Sequence, residues 1–495
     1  MTKRIIVIGS GFAGLAAAAS LAQKGHDVTV VEKNAEHGGR ARVWKQDGFT
    51  FDMGPSFYWM PEVFERFFDR FGQRARDHYE LVRLDPSYNI VFGGGMEWPV
   101  PAGRNALRAF FDKVEPGAGA QLDAFLADAK VKYDLGMGEL VYRPGLSWTE
   151  YAHPAVITGL FRTRIFRSLR KHVRAHFRDE RLRALMEFPV LFLGASPQNT
   201  PALYSLMNYA DLELGTWYPM GGIGSVVNAM VKVAEQQGVT FRMNEPVLKI
   251  DLDASGRACG VTTSSGPIPA DLVLASADYH HVEQELLPKE NRNYDAAYWG
   301  KRTMAPSTLL FFMGFDRKLD KLSHHTLFFD EPLDVHSAEI YDTPRWPTRP
   351  LFYTSCTSRT DASTAPEGKE NVVVLIPIAP GLEDTDMVRE QYFQLIMGRL
   401  GRHLGADLRP HLVLKRSYCI NDLTADYNAF RGNAYGLANT LRQTGPLRPS
   451  MKSRKVKGLY FTGQLTVPGP GVPPALISGQ VVADLMHREN SRSLA

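Results

Sequence analysis

Apolar and polar positions change period along this chain, and the changes mark its elements. Arg4 to Ile8 is a short β-branched run closed by glycine, which predicts a buried parallel strand. The alanine-rich stretch from Leu15 to Gln23 predicts a helix ending at Gly25, and Val28 to Val31 predicts a second strand. From Pro61 to Arg83 the residues Val63, Phe64, Phe67, Phe68 and Phe71 recur at spacings of three and four, a helical stripe that suits either a core or a lipophilic cavity. Strand-like runs follow between Leu84 and Trp98, and Ala106 to Tyr142 carries two amphipathic helices broken near Pro116.

Between Pro154 and Phe177 the pattern changes character. Arg162, Arg164, Arg167, Arg170, Lys171 and Arg174 interleave with Leu160, Phe161, Ile165, Phe166, Leu169, Val173 and Phe177, and no acid stands between Glu150 and Asp179. Such a helix lies on anionic lipid or packs on the protein with a solvated basic face. Leu185 to Tyr209 is dense in Leu, Phe and Met around one acid, Glu187, and reads as core or as an apolar channel. A glycine-rich turn within Trp217 to Gly238 feeds an amphipathic helix, and Asp271 to Asp278 is strand-like. Several strands between Thr308 and Ile420 predict a substantial second sheet. Lys457 to Met486 reads as a strand, a Pro/Gly loop and a helix from about Pro474.

Composition narrows the class. The 495 residues are 44% hydrophobic and 22% charged, ordinary for a globular chain with room for two cores. A net charge of +4 does not call for nucleic acid, and no exposed aromatics able to stack on bases accompany the arginines. Cys259, Cys356 and Cys419 are odd in number and far apart, which points to a reducing compartment and no disulfide framework. The histidines form no metal-ligand spacing, so no metal is expected. No segment offers about eighteen uninterrupted apolar residues, so membrane contact is expected at the surface only.

The chemistry starts at Gly9, Gly11 and Gly14, which stand between the first strand and its helix as GSGFAG, with Glu32 eighteen residues beyond Gly14. In this order Gly9 permits a tight turn, Gly11 lets backbone approach a pyrophosphate, and Gly14 lets helix and strand pack closely. Glu32 would accept hydrogen bonds from a ribose. The later WYPMGGIG turn has neither a preceding strand nor a spaced acid, so a second dinucleotide site is not expected.

GGRAR at Gly38 to Arg42 and GFTFDMGPS at Gly48 to Ser56 resemble the flavoprotein superfamily that includes amine oxidases, protoporphyrinogen oxidase and the carotenoid desaturases. Together with GSGFAGLAAA, EKNAEHGGRA, WYPMGGIG and GLYFTGQLTVPGPGVPPALISG, they make the chain similar over nearly its whole length to the bacterial-type phytoene desaturases. The resemblance implies an α/β fold: a discontinuous Rossmann-type FAD-binding domain with an inserted α+β substrate domain and a membrane-associated helical region. The expected pieces are 1–85, 215–300 and 451–495 for the FAD domain, with 86–214 and 301–450 for the substrate domain.

The resemblance also implies roles. FAD is expected against Gly9, Gly11, Ala13, Gly14, Glu32, Lys33, Gly39 and Arg40, with Gly54, Pro55 and Ser56 near the flavin ring. Val247 is expected to pair with adenine through its backbone, and Gly463, Gly471 and Val472 to complete the site. Glu150 and His153, in SWTEYAH, stand where the family carries an acidic and a basic residue for acid-base work. The implied activity is stepwise desaturation of phytoene to lycopene at the cytoplasmic side of the cell membrane, with oxygen or quinone as acceptor. Desaturation of another carotenoid, isomerase or saturase chemistry, and a soluble amine oxidase are the alternatives, and the oligomeric state is left open.

Overall fold

The computed structural model describes residues 2–151, 167–193 and 196–492. Two sheets organise it. The first is five-stranded and parallel, in the order Leu459–Phe461, Leu272–Ala275, Arg4–Ile8, Asp27–Val31, Thr240–Arg242. Three separated stretches of chain therefore build one sheet. Ile5 pairs with Val28 on one side and Leu272 on the other, and its strand is buried from Ile5 to Ile8 because both faces are covered. Ile5 and Val7 pack with the residues of helix Phe12–Gln23, while Ile6 and Ile8 pack with Ile250 and Val261 of a three-stranded antiparallel sheet, Val247–Leu252, Ala258–Thr263 and Gly266–Pro269.

The helix Phe12–Gln23 packs under this sheet against the C-terminal helix Val472–Arg492. Its alanines let the two helices approach closely: a Cβ on Gly479 would come within 2.2 Å of the Ala13 carbonyl oxygen. The C-terminal helix starts at Val472, two residues before the position expected from Pro474, because prolines in a first turn give up amides that have no helical partner.

The second sheet has seven strands in the order Leu412–Tyr418, Ser307–Phe315, Glu370–Ile378, Phe352–Ser355, His325–Phe329, Tyr88–Phe92, Met96–Val100. Only the pair Tyr88–Phe92 with His325–Phe329 is parallel. All nine residues of Ser307–Phe315 are buried, and the two faces go to different cores. Leu309, Phe311 and Met313 pack with Phe393, Met397 and Leu400 of the helix Asp386–Leu404, whereas Leu310 and Phe312 join the main core with Phe49 and Phe51.

Three readings of the pattern change. The stripe after Pro61 is helical only to Asp69; Leu81–Arg83 is a strand paired antiparallel with Trp217–Pro219. A short strand therefore does precede the turn at Gly221 and Gly222, too brief for its pattern to show. Of the basic stretch, residues 154–166 lie outside the described residues. In its second half Leu169, Val173 and Phe177 are fully buried against Phe111 and Phe125, so that apolar face covers core. Its arginines find acids elsewhere: Arg170 pairs with Glu187 at 3.1 Å and Asp334 at 2.5 Å, and Arg174 with Glu180 at 3.4 Å. Among the described residues, no helix is long and apolar enough to cross a membrane.

Candidate functional site

The strand ends of the parallel sheet face the second sheet across a cavity of about 460 Å³. Its floor is the first glycine turn. Gly9 has φ +99°, a conformation that side chains resist. No side chain caps the helix that begins at Phe12, so its first amides remain as donors where Gly11, Phe12 and Ala13 line the cavity. A Cβ on Gly11 would meet nothing within 4 Å, while one on Gly14 would stand 2.1 Å from the Gly9 carbonyl oxygen.

The next strand delivers Glu32, which is buried. Its carboxylate accepts from the Ser10 amide at 2.8 Å, the Ser10 hydroxyl at 3.0 Å and the Asn34 amide at 2.9 Å. Lys33 donates its Nζ to the Ala425 carbonyl at 2.7 Å. The 38–41 turn rests on the first turn through the Gly38 amide, which donates to the Ser10 carbonyl at 2.9 Å. Arg40 lies 5.2 Å from the Tyr427 ring centre, and its Nε is buried with no partner among the described residues. A Cβ on Gly54 would sit 2.4 Å from the Arg40 carbonyl oxygen, so the 53–55 turn crosses here only with glycine.

Electrostatics divide the cavity. Its carboxylates, lysine and arginine are Glu32, Lys33, Arg40, Asp278 and Asp426. Burial raises the Asp278 carboxyl above its usual range although the Arg40 charge opposes the shift, and burial lowers His281. The second sheet contributes Thr308, Leu310 and Leu375, beside Ala434 and Tyr435. Burial pushes the Tyr435 hydroxyl up to about 12, so this part of the wall is neutral near pH 7.

Of the residues singled out from sequence, Gly9, Gly11, Ala13, Glu32, Lys33, Gly39 and Arg40 line this cavity. So do Gly54, Pro55, Val247, Gly463, Gly471 and Val472, which come from four other stretches of chain. Gly14 does not; the helix-to-turn contact alone requires it. Ser56 also turns away, its Oγ accepting from the Tyr353 hydroxyl at 2.9 Å. Glu150 is absent from the wall: its two oxygens accept from the Gly145 amide at 2.8 Å and the Leu146 amide at 2.9 Å, which makes it the clamp of its own loop. His153 falls outside the described residues. Sequence reasoning missed Asp278, Tyr427, Tyr435 and Leu375 as wall residues. Only Asp278 carried a signal, as an acid at the end of a predicted strand.

The uncapped helix start, the open space over Gly11, the partnerless Nε of Arg40 and the buried Glu32 suit the pyrophosphate and ribose of a dinucleotide. Comparison with known proteins agrees. The chain matches the model of the flavin containing amine oxidoreductases over residues 12–487. It is 41% identical over 483 residues to a carotenoid 3,4-desaturase of Haloarcula japonica, 97% of either chain. It is 36% identical over 490 residues to a zeta-carotene-forming phytoene desaturase of Myxococcus xanthus, covering 97% of this chain and 93% of that one.

Among solved structures, a putrescine oxidase bound to putrescine aligns with a TM-score of 0.62 at 15% identity, over 99% of this chain and 100% of that one. A putative protoporphyrinogen oxidase from Exiguobacterium aligns with a TM-score of 0.61 at 18% identity, over 99% of each. These two establish the mixed α/β fold. The cofactor is FAD. The chain belongs to the flavin containing amine oxidoreductases, on the branch that holds the carotenoid desaturases.

Proposed function

We propose that the protein is an FAD-dependent carotenoid desaturase, and that it sets a 3,4 double bond in an already extended polyene. The observation that carries the first part is the division of the cavity: the charged groups gather around Glu32 and Arg40, while Thr308, Leu310 and Leu375 present a neutral wall. A hydrocarbon without a polar handle is held by burial, at roughly 25 cal/mol per Å². The 41% identity to the carotenoid 3,4-desaturase supports the position of the new bond. The 36% identity to the zeta-carotene-forming enzyme supports a second reading, early steps from phytoene, with lycopene as the end of that series.

When bound, the flavin supplies the electron sink for removing hydrogen from adjacent carbons. The chain does the rest. The amides at Gly11 to Ala13 and the Arg40 guanidinium hold phosphate, and Glu32 accepts from ribose. The buried strands of the second sheet keep water from the reacting end. A peripheral position on the cytoplasmic face of the membrane, with oxygen or a quinone as acceptor, belongs to the proposal, since a polyene of this kind has its reservoir in lipid.

Co-expression in one host that accumulates lycopene and in another that accumulates phytoene, with pigments separated by chromatography, tests the reading. A longer chromophore in the lycopene host alone is expected. Conversion of phytoene would favour the second reading, and FAD-loaded protein that converts neither would overturn both.

A further inference from the structure

A second cavity, of about 440 Å³, takes no part in the site above; Tyr294, Tyr298, Arg302, Arg442, Arg448 and Arg454 line it. Four guanidinium groups meet there, and among the described residues no carboxylate lines the wall. Two nearby acids are engaged elsewhere: Glu283 is buried and accepts from the Asn293 and Tyr294 amides, at 2.8 and 3.2 Å, and Asp295 accepts from the Tyr298 amide at 2.7 Å.

Two arginines are short of partners. Arg448 is 2% exposed and donates to neutral oxygens, the Leu437 carbonyl at 3.1 Å, the Gln464 carbonyl at 3.3 Å and the Asn439 side chain. Its Nε and that of Arg302 are buried with no partner among the described residues. Burial without a counter-charge holds the Arg448 guanidinium down at about 10. Gathering cations this way is costly unless an anion joins them.

The aromatic residues narrow the ligand. Tyr294 and Tyr298 stack with ring centres 4.2 Å apart. Arg302 lies 4.2 Å from the Tyr298 ring centre, and Arg454 lies 5.8 Å from that of Tyr294. Each ring thus has a tyrosine and an arginine for neighbours, and a nucleobase finds no bare platform. Several guanidinium forks around one space match an anion with several oxygens and up to two charges.

We propose that this cavity binds a phosphate group, a monoester or diester, through Arg302, Arg442, Arg448 and Arg454. The same chemistry is offered by free phosphate and by the headgroup of an anionic phospholipid. Because Gln464 lines the flavin cavity and its carbonyl accepts from Arg448, the two sites share a loop. The proposal does not depend on the carotenoid reading, and its test reads binding rather than turnover.

FAD-loaded protein and the Arg302→Gln/Arg454→Gln variant are titrated calorimetrically with inorganic phosphate at constant ionic strength. Both are also floated with phosphatidylglycerol and with phosphatidylcholine vesicles. Saturable phosphate binding that weakens about tenfold or more in the variant is expected. Loss of flotation by the variant on phosphatidylglycerol alone would identify a headgroup; unchanged flotation with weakened phosphate binding would identify free phosphate. Equal phosphate affinity and equal flotation for the two proteins, or no phosphate or phosphatidylglycerol binding by the parent, overturns the proposal. If the double variant loses FAD, Arg454→Gln alone, at an exposed side chain, makes the same comparison.

Discussion

Around Gly9, Gly11 and Gly54 the cavity wall is backbone, set by contacts that a single Cβ would break or fill. Around Thr308, Leu310 and Leu375 it is side chain, carried on strands whose neighbouring residues face a different core. The first construction holds a charged cofactor by direction, through amides and one guanidinium. The second holds an uncharged substrate by shape. Change is tolerated differently in each: a methyl group in the wrong place stops the first, whereas the second shifts its preference.

The largest expected effect is at Gly14, where alanine would drive a Cβ to 2.1 Å from the Gly9 carbonyl oxygen. Gly14→Ala should lose about 3 kcal/mol of stability in denaturant unfolding. At Gly11 the backbone is ordinary and a Cβ points into open cavity. Gly11→Val, at the N-cap of its helix, should therefore lose only about 1 kcal/mol against the parent apoprotein but fail to retain FAD on gel filtration. If both variants failed alike, the distinction between a packing glycine and a cradle glycine would be wrong.

Acid should loosen the side-chain half. His336 is buried under the second sheet, its Nε2 bonded to the Pro377 carbonyl at 2.7 Å and its Nδ1 accepting the Leu351 amide at 3.0 Å. Burial lowers it to about 4 from an ordinary value of 6.5. Between those values the unfolded chain binds a proton that the folded chain refuses, so stability falls as pH drops, by up to about 1.4 kcal/mol per pH unit. His336→Gln should lessen that slope, by up to about 1.4 kcal/mol per pH unit, in unfolding measured from pH 6.5 to 4, the remainder coming from other buried histidines such as His280 and His324.

Leu375→Ala should leave FAD content unchanged, cost about 2 kcal/mol and alter the ratio of carotenoid products in the pigment profile. The smallest effect is expected at Glu150. Glu150→Gln should keep full turnover in the steady state, because that carboxylate holds two loop amides rather than a proton in flight. A large loss of turnover with the fold intact would restore it as an acid-base residue.

The same contrast explains what the sequence disclosed. GSGFAG, Glu32 and the GG-R block were legible because backbone approach to a dinucleotide demands glycine at fixed spacing, and few other functions do. Leu310 and Leu309 are indistinguishable by composition, yet one joins the cavity wall and the other packs under the helix Asp386–Leu404. The basic stretch stayed open between lipid and core for a related reason. The acids that meet Arg170 are Glu187 and Asp334, 17 and 164 residues away, beyond any local pattern. Glu150 was matched by position in a motif, and its hydrogen bonds to its own loop are invisible to such matching.

The most direct measurement is anaerobic titration of the purified, FAD-loaded protein with carotenoid in detergent or vesicles, following the visible absorption of the flavin and the pigment together. Bleaching of the flavin in step with lengthening of the polyene, absent in Gly11→Val, is the predicted result. An unbleached flavin at full occupancy with lycopene, phytoene and their intermediates would contradict the account.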